Sequence, residues 1–456
     1  MIESSHTVVA NTNARSGLGI AYDQGLERLA ARARSYQQEK FSSLAHHISP
    51  SRIEQCIKAI DKKSATGIDG LTRDQTLENL DWLLLPKVSQ IHRSSYEASA
   101  VRRTFIPKSD GKLRPLGIPP ILERGIQAAT SEVLSSIYEQ DFLNCSYGYR
   151  PGRGCHNALA AVSNFVWVDG LTFAYEVDIR DFFGSLDHGW LLRFLGHRIS
   201  DMRVLKLIEA WLKAGVMEDG QYLPTEVGSP QGGSISPLLA NVYLHYVLDL
   251  WFYRKVVKQL KGRAELVRYC DDFVILFQKE EDVETFAALL KVRLEQFRLQ
   301  IAENKTHKTD LKRRPNGGAD DRRRISFLGF EIFLARTISG RSSKVVFKTQ
   351  GQRFSKAKLK LKEQLHAMMH WKVKDQAKRL NQILRGHYNY YGLPGNSRRL
   401  QTLRMFALRY WRLSLSRRSQ NGKVTWEKYK VILEQHPIVQ PKLHITYATI
   451  TRFVLL

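Results

Sequence analysis

The chain has 456 residues, a length suited to roughly two to four domains, and 43% of them are hydrophobic, enough for a sizeable core. Its 70 Lys+Arg against 44 Asp+Glu give a formal charge of +26, a surface that attracts polyanions and, for a soluble protein, nucleic acid first. Cys56, Cys145, Cys155 and Cys270 form no C-x-x-C pair, the N-terminus has no apolar h-region and no stretch approaches 18 apolar residues, so no zinc ribbon, disulfide framework, secretory signal or membrane span is expected, which fits a reducing cytosol.

Residues 1–48 are polar and mixed, with a helix expected over 24–41; His46 and His47 read as helix-end or solvent histidines. A helical stretch over 51–62 leads into Thr66-Gly67-Ile68-Asp69-Gly70, where glycine on both sides of a short acid marks a tight turn. Residues 101–119 read as two strands around a Ser109-Asp110-Gly111 turn, and 121–142 as a helix. SYGYRPGRG is loop-like, and a helix is expected over 155–165. Residues 172–179 form a short strand ending in acid. Residues 240–252 are apolar and aromatic at helical spacing, and 265–277 alternate around a central acidic pair, as a hairpin does. An amphipathic helix over 281–299, a connection over 311–324 and a strand over 326–333 follow. From about 352 the chain reads as helical and basic, with a break at 392–395. Strands and helices mix without a regular βαβ rhythm, which argues for an α+β fold. Charge is uneven: residues 341–456 hold 25 Lys+Arg and 4 Asp+Glu, +21 of the total, so one end is a basic clamp and the rest keeps its acids for other work.

The sharpest local pattern is Arg268-Tyr269-Cys270-Asp271-Asp272-Phe273, two carboxylates at the tip of a strongly apolar hairpin. Packed like charges repel, and taking them from water costs several kcal/mol unless a cation compensates. Mg²⁺, a hard cation with oxygen ligands, is the natural partner, the alternative being a solvated turn. Asp178 ends the strand over 172–179. Phosphoryl transfer needs little covalent chemistry but strong electrostatic stabilisation, and two metal ions about 4 Å apart supply it. Asp178 and Asp271 would bridge both ions, with Asp272 supporting one. Asp181 and Asp187 are better placed for the humbler work of capping. Lys108 and Arg114, six apart across the 101–119 turn, would reach a triphosphate; otherwise they are solvent-facing strand charges. In residues 228–237 glycines permit close backbone approach and Gln231 is the polar contact, a plain loop being the alternative.

Taken in order, Gly67-Ile68-Asp69-Gly70, IPKSDGKLRPLGIP, SYGYRPGRG, VDIRDFF, SPQGGSISPLLANVYLH, RYCDDFVILF, Asn304-Lys305-Thr306 and SFLGF resemble the fingers and palm of group II intron reverse transcriptases over about residues 50–335. LNQILRGHYNYYG, residues 380–392, and the Trp411 to Trp426 segment resemble the thumb or maturase region of that family. The resemblance implies a right-hand polymerase with an antiparallel palm sheet and a helical, basic thumb. It divides the chain into an extension (1–48), fingers and palm (49–340), thumb or maturase domain (341–412) and a short nucleic-acid-binding end (413–456). It implies catalysis by Asp178, Asp271 and Asp272, which with Ile179 would hold two Mg²⁺, Mn²⁺ being the substitute. It assigns Lys108, Arg114, Gln231 and Lys305 to the dNTP and Phe183 to a steric gate against a 2′-hydroxyl. RNA contacts are expected at Arg150, Arg153, Arg385, His387, Tyr388, Tyr391, Arg417 and Arg418; charge tracks phosphate and rings stack on bases, though some of the tyrosines are expected in a helix core.

The implied partners are structured intron RNA, an RNA template with its DNA primer, dNTPs and target DNA, in a bacterial cytosol. Departures from the family pattern are Cys270 where Ala is usual, Asp181 and Gly184 where Gly and Asp are usual, and Asn304 where Glu is common. No cysteine-paired nuclease module follows, so second-strand cleavage is not expected of this chain. Two further readings remain: a host-captured enzyme of defence or repair, and an RNA-binding splicing cofactor without polymerase activity, against which the intact acids argue.

Overall fold

The computed structural model describes residues 24–107, 113–218, 221–223, 228, 232–312, 323–336, 343–418 and 422–453. Four helices, α1 (Gln24–Ser35), α2 (Pro50–Ala59), α3 (Arg73–Glu78) and α4 (Leu80–His92), precede the antiparallel pair β1 (Val101–Pro107) and β2 (Leu113–Ile118). α1 ends at Ser35, short of the expected 41, because Phe41 is drawn off to pair with Ile199. α5 (Ile121–Tyr138) is buried on nearly all sides, its polar Glu123, Gln127, Thr130, Ser135 and Ser136 enclosed along with its apolar residues. Gly125 lets α2 approach it, since a Cβ there would lie 2.3 Å from Ile57.

After α6 (Cys155–Trp167) and β3 (Phe173–Val177) come α7 (His188–Leu195), α8 (Met202–Lys213), β4 (Val216–Glu218) and β5 (Gln221–Leu223). α9 (Ser236–Leu244) continues into π-helical turns at His245–Asp249 and Phe252–Val256. The hairpin β6 (Ala264–Tyr269) and β7 (Asp272–Phe277) then leads to α10 (Glu280–Gln296) and β8 (His307–Asp310). β9 (Ile325–Phe327), β10 (Phe330–Arg336) and β11 (Ser343–Thr349) make a second antiparallel sheet. The strand expected over 326–333 is thus the end of β9 and the start of β10, bent at Leu328-Gly329, both at positive φ. β11 pairs with β10, so the boundary expected at 340/341 falls inside this sheet. The chain closes with α11 (Gly351–Ala367), α12 (Val373–Tyr391), α13 (Ser397–Ser416), α14 (Trp426–Gln435) and α15 (Tyr447–Phe453).

The fold is α+β, and the sheet ordered β6-β7-β3-β8 is antiparallel throughout. Successive side chains of a strand face opposite sides. Phe273, Ile275 and Phe277 therefore enter the core shared with α5 and α10, while Val274 and Leu276 enter a second core with α6 and β9–β11. Burial on both faces explains why Phe273–Phe277 of β7 is an unbroken apolar run. A third core holds α11–α14 together around Trp411, Leu380, Leu384 and Tyr388. Among the described residues no helix is long and apolar enough to cross a membrane.

Candidate active site

The register of the palm sheet brings the acids together. β3 pairs with β7 up to Val177↔Phe273, so Asp178, the next residue, arrives beside Asp272. Tyr269↔Asp272 is the last pair of the β6–β7 ladder, leaving Cys270-Asp271 as a two-residue turn. Cys270 has φ 60, the left-handed region that hairpin turns demand at this position and usually fill with glycine. A side chain held there costs about 1–3 kcal/mol and persists only where its surroundings impose it.

Asp271 and Asp178 lie close enough for their charges to act on Asp272. Asp272 keeps an exposed face in the cleft, yet the protein around it and then the charges of Asp271 and Asp178 push its carboxyl up to about 6, with Arg353 and Lys305 pulling the other way. Lys305 Nζ stands 2.8 Å from Asp178 Oδ2. Ile179 bridges Ile301 as a non-hydrogen-bonded pair, flanked by Arg180 N to Gln300 O and Ala302 N to Asp178 O, both 2.8 Å. Its own carbonyl therefore points to the opposite side, toward the β7 turn. Asp178, Ile179, Asp181, Phe183, Asp271 and Lys305 line a cleft of about 850 Å³. A neighbouring cleft of about 610 Å³ joins Asp178, Asp272 and Lys305 to Gln350 and Gly351 at the start of α11.

Among the described residues no group of three or more His, Cys, Asp or Glu side chains is placed to hold a metal ion. Mg²⁺ seldom asks for such a group; it keeps waters and takes one or two carboxylates plus substrate phosphates. Mutually repelling carboxylates at the rim of an open cleft fit that habit.

Two glycines of the 228–237 segment sit against this site and β2. A Cβ at Gly228 (φ +92) would lie 2.9 Å from the carbonyl oxygens of both Phe183 and Gly184, and one at Gly232 (φ +127) 2.5 Å from the carbonyl oxygen of Gly117 in β2. Ser234 N donates to Gln127 Oε1 at 2.9 Å and holds the far side. Gln231 and Lys108 lie outside the described residues, and of Arg114 only the backbone, in β2, is described. Phe183 is half-buried, edge-on to Phe182 at 5.3 Å. The Asp181 and Gly184 exchange has a physical reason. Asp181 takes φ 41, which an Asp tolerates better than most residues. Its carboxylate fills the place of a residue-184 side chain, Oδ2 lying 2.2 Å from where that Cβ would be.

Residues 106–332 match the family model described as reverse transcriptase (RNA-dependent DNA polymerase). The chain is 35% identical over 243 residues to group II intron-encoded protein LtrA of Lactococcus lactis subsp. cremoris, covering 53% of this chain and 39% of that protein. It is 32% identical over 272 residues to protein YkfC of Escherichia coli K12, covering 52% of this chain and 71% of that protein. The chain belongs to the group II intron-encoded reverse transcriptase family. Similarity also reaches nuclear intron maturase 2, mitochondrial, of Arabidopsis thaliana, 28% over 178 residues, 30% of this chain and 24% of that protein. The chain spans about two fifths of the length of LtrA.

The expected RNA contacts divide by helix face and burial. Arg150 and Tyr388 are corrected to interior roles. Arg150, 6% exposed, donates to Glu139 Oε2 (2.9 Å) and to the carbonyls of Leu143 and Ser146. Tyr388, 1% exposed, sits in the thumb core because α12 turns it to the same face as Leu380 and Leu384. Arg153 is half-buried and ties down Asn144 through its side-chain and backbone oxygens. His387 and Tyr391 are half-buried with ring centroids 4.5 Å apart, and burial pushes His387 down to about 4, which removes it as a cation. Arg418 is half-buried and donates to the carbonyls of Met369 and Trp371. Arg385 and Arg417 are exposed. The sequence reading missed Arg353, Lys356 and Lys360, exposed on α11 while Phe354, Leu361 and Leu365 are buried beneath. Their signal was present: 353, 356 and 360 recur at helical spacing, opposite the apolar stripe.

Proposed function

We propose that this chain is an RNA-directed DNA polymerase that adds dNTPs to a primer 3′-hydroxyl on an RNA template and, as a maturase, grips structured group II intron RNA to aid splicing and insertion into target DNA. One observation carries the reading: the register of β3 against β7 brings Asp178 and Asp271 to Asp272 at one end of the palm sheet, close enough for their charges to raise the proton affinity of Asp272.

Two Mg²⁺ ions, or Mn²⁺ in their place, would be held by Asp178, Asp271, Asp272 and the Ile179 carbonyl, and would supply activation of the 3′-hydroxyl and stabilisation of the leaving pyrophosphate. Lys305, paired with Asp178 here, is within reach to exchange that partner for a nucleotide phosphate. Lys108, Arg114 and Gln231 are assigned to the incoming nucleotide, with Phe183 against its sugar. Gly228 and Gly232, which flank Gln231 in sequence, support that assignment, one packed on Phe183 and Gly184 and the other on β2. Arg353, Lys356 and Lys360 on α11, with Arg385 and Arg417, offer exposed cations to a phosphate backbone, an attraction that weakens with salt.

Replacing Asp271 and Asp272 together by Ala removes primer extension and leaves RNA retention on filters within about two-fold of wild type, because exposed thumb cations rather than palm acids supply the charge. Undiminished extension by the double variant rejects the assignment.

A further inference from the structure

We infer that Arg268, Asn241 and Asp249 form a buried clamp whose task is to fix the Cys270-Asp271 turn, and so to set how tightly the carboxylates take a divalent cation. This rests on the polymerase reading above. Arg268 is 0% exposed in β6, and each face of its guanidinium fork is used. Nε donates to Asp249 Oδ1 at 2.8 Å and Nη2 to Asp249 Oδ2 at 2.5 Å. Nη1 donates both to Asn241 Oδ1 at 2.9 Å and to the carbonyl oxygen of Cys270 at 3.0 Å. Arg268 thus holds the turn through its backbone, at the residue whose φ is least comfortable.

Asn241 extends the grip to the other side. Its Nδ2 donates to the Gly148 carbonyl at 2.8 Å, and Gly148 is pressed against the turn so closely that a Cβ would lie 2.6 Å from the Cys270 nitrogen. The backbone of Arg268 is stitched to the same segment, from Arg268 N to Cys145 O (2.8 Å) and from Tyr147 N to Arg268 O (2.9 Å). One asparagine therefore couples the group above the turn to the group beneath it.

The helix after Ser236 is shaped for this. In a straight α-helix, eight residues overshoot two turns by roughly 80°, so Asn241 and Asp249 would face different ways. The π-helical turn His245–Asp249 closes over more residues per turn and absorbs the overshoot, and both side chains meet Arg268. A buried Arg–Asp pair is a weak source of stability compared with an apolar replacement, whereas its directional bonds fix geometry. None of the three residues lines either cleft, so they are positioning residues, acting through the turn.

The test uses the full chain and two variants, Asn241→Ala and the isosteric Asn241→Asp, which keeps the acceptor for Arg268 and removes the donor to Gly148. Mn²⁺ binding is titrated by the loss of its free paramagnetic resonance signal, with the Asp271→Ala/Asp272→Ala protein as the blank, and half-saturating Mg²⁺ is measured in primer extension. Removing support for a metal ligand weakens affinity about 10-fold or more. Both variants are expected to show that loss in Mn²⁺ binding and a matching rise in half-saturating Mg²⁺, with unchanged RNA retention and with much of the rate restored at saturating metal. Folded variants of lowered melting temperature whose Mn²⁺ affinity and Mg²⁺ requirement equal wild type overturn the inference, leaving the clamp as scaffolding alone. A wild type that binds no Mn²⁺ beyond the blank overturns the metal assignment and this inference with it.

Discussion

The acidic hairpin of the palm and the aromatic, basic helix α12 of the thumb both place charge beside rings, yet only one of them can be read at single-residue resolution from its motif. In the hairpin a period of two sends alternate residues into two different cores, so every position from Phe273 to Phe277 is committed, and what remains for solvent is the acid pair. In α12 the period is 3.6, and His387-Tyr388-Asn389-Tyr390-Tyr391 wraps most of the way round the helix. Burial then sorts neighbours into different trades: Tyr388 is core, Tyr390 donates to the Leu328 carbonyl at 2.9 Å and packs on Phe330, and Arg385 faces water. Composition tells what chemistry a segment favours; the period tells which of its residues are free to perform it.

The largest effect that tests this contrast is on Tyr388. Truncation to Ala removes a fully enclosed ring from the thumb core and is expected to destabilise the protein by about 3–5 kcal/mol, read as a lowered denaturation midpoint. Tyr388→Phe separates the trades more sharply. The Tyr388 hydroxyl is buried with no hydrogen-bond partner among the described residues, so its removal is expected to be neutral or to stabilise by about 1 kcal/mol, with RNA affinity unchanged. Lost RNA affinity in a stable Tyr388→Phe protein would return this residue to the RNA face.

A smaller effect of opposite sign is expected in the palm. Asp272 has its carboxyl raised from an ordinary 3.8 to about 6 by enclosure and by Asp271 and Asp178. A raised carboxyl favours the folded state fully below its ordinary value and loses that contribution as pH rises through about 6. In the metal-free protein this one contribution is therefore larger at pH 5 than at pH 8, and it is read as the difference between wild type and variant because the buried imidazoles of His245 and His387, pushed down to about 4, act in the opposite direction. Asp272→Asn should flatten that dependence and add about 1 kcal/mol at pH 8, the figure being reduced because the cleft is open to water. Thermal melts in a chelator across that range measure it. A variant that melts lower than wild type at pH 8 contradicts the repulsion.

The same physics explains how much was legible in advance. The hairpin expected over 265–277, the strand ending at Asp178 and the helix starting at Cys155 all form, because each is fixed by a local period and a turn. The strand over 326–333 hid a break, since the left-handed Leu328-Gly329 pair offers only one glycine as a cue. β11 went unread because its pairing partner, β10, supplies the order that its own Ser-Lys-rich start does not. Arg150 was misjudged for a related reason: a loop arginine looks solvent-bound until Glu139, contributed from just beyond α5, is seen beside it. The Arg268–Asp249 pair was invisible for the same cause at greater range, since a π turn decides which face Asp249 occupies.

The smallest effect asks whether an exposed thumb cation does what the buried ones cannot. Arg385 is exposed on α12, and Arg418, half-buried, donates to the carbonyls of Met369 and Trp371. If Arg385 meets an RNA phosphate, Arg385→Ala removes about one released counterion, so the slope of log affinity against log salt falls by roughly 0.7–0.9. Melting should shift by no more than about 0.5 kcal/mol, as for other surface substitutions. Arg418→Ala should do the reverse: lost carbonyl contacts lower the melting temperature by an amount equivalent to about 1–2 kcal/mol while the salt slope holds. Filter binding at several salt concentrations beside a melt of each variant distinguishes them. Equal slopes for wild type and Arg385→Ala would move the RNA track off this face of α12 and onto Arg353, Lys356 and Lys360 of α11, whose Arg353 stands close enough to act on Asp272.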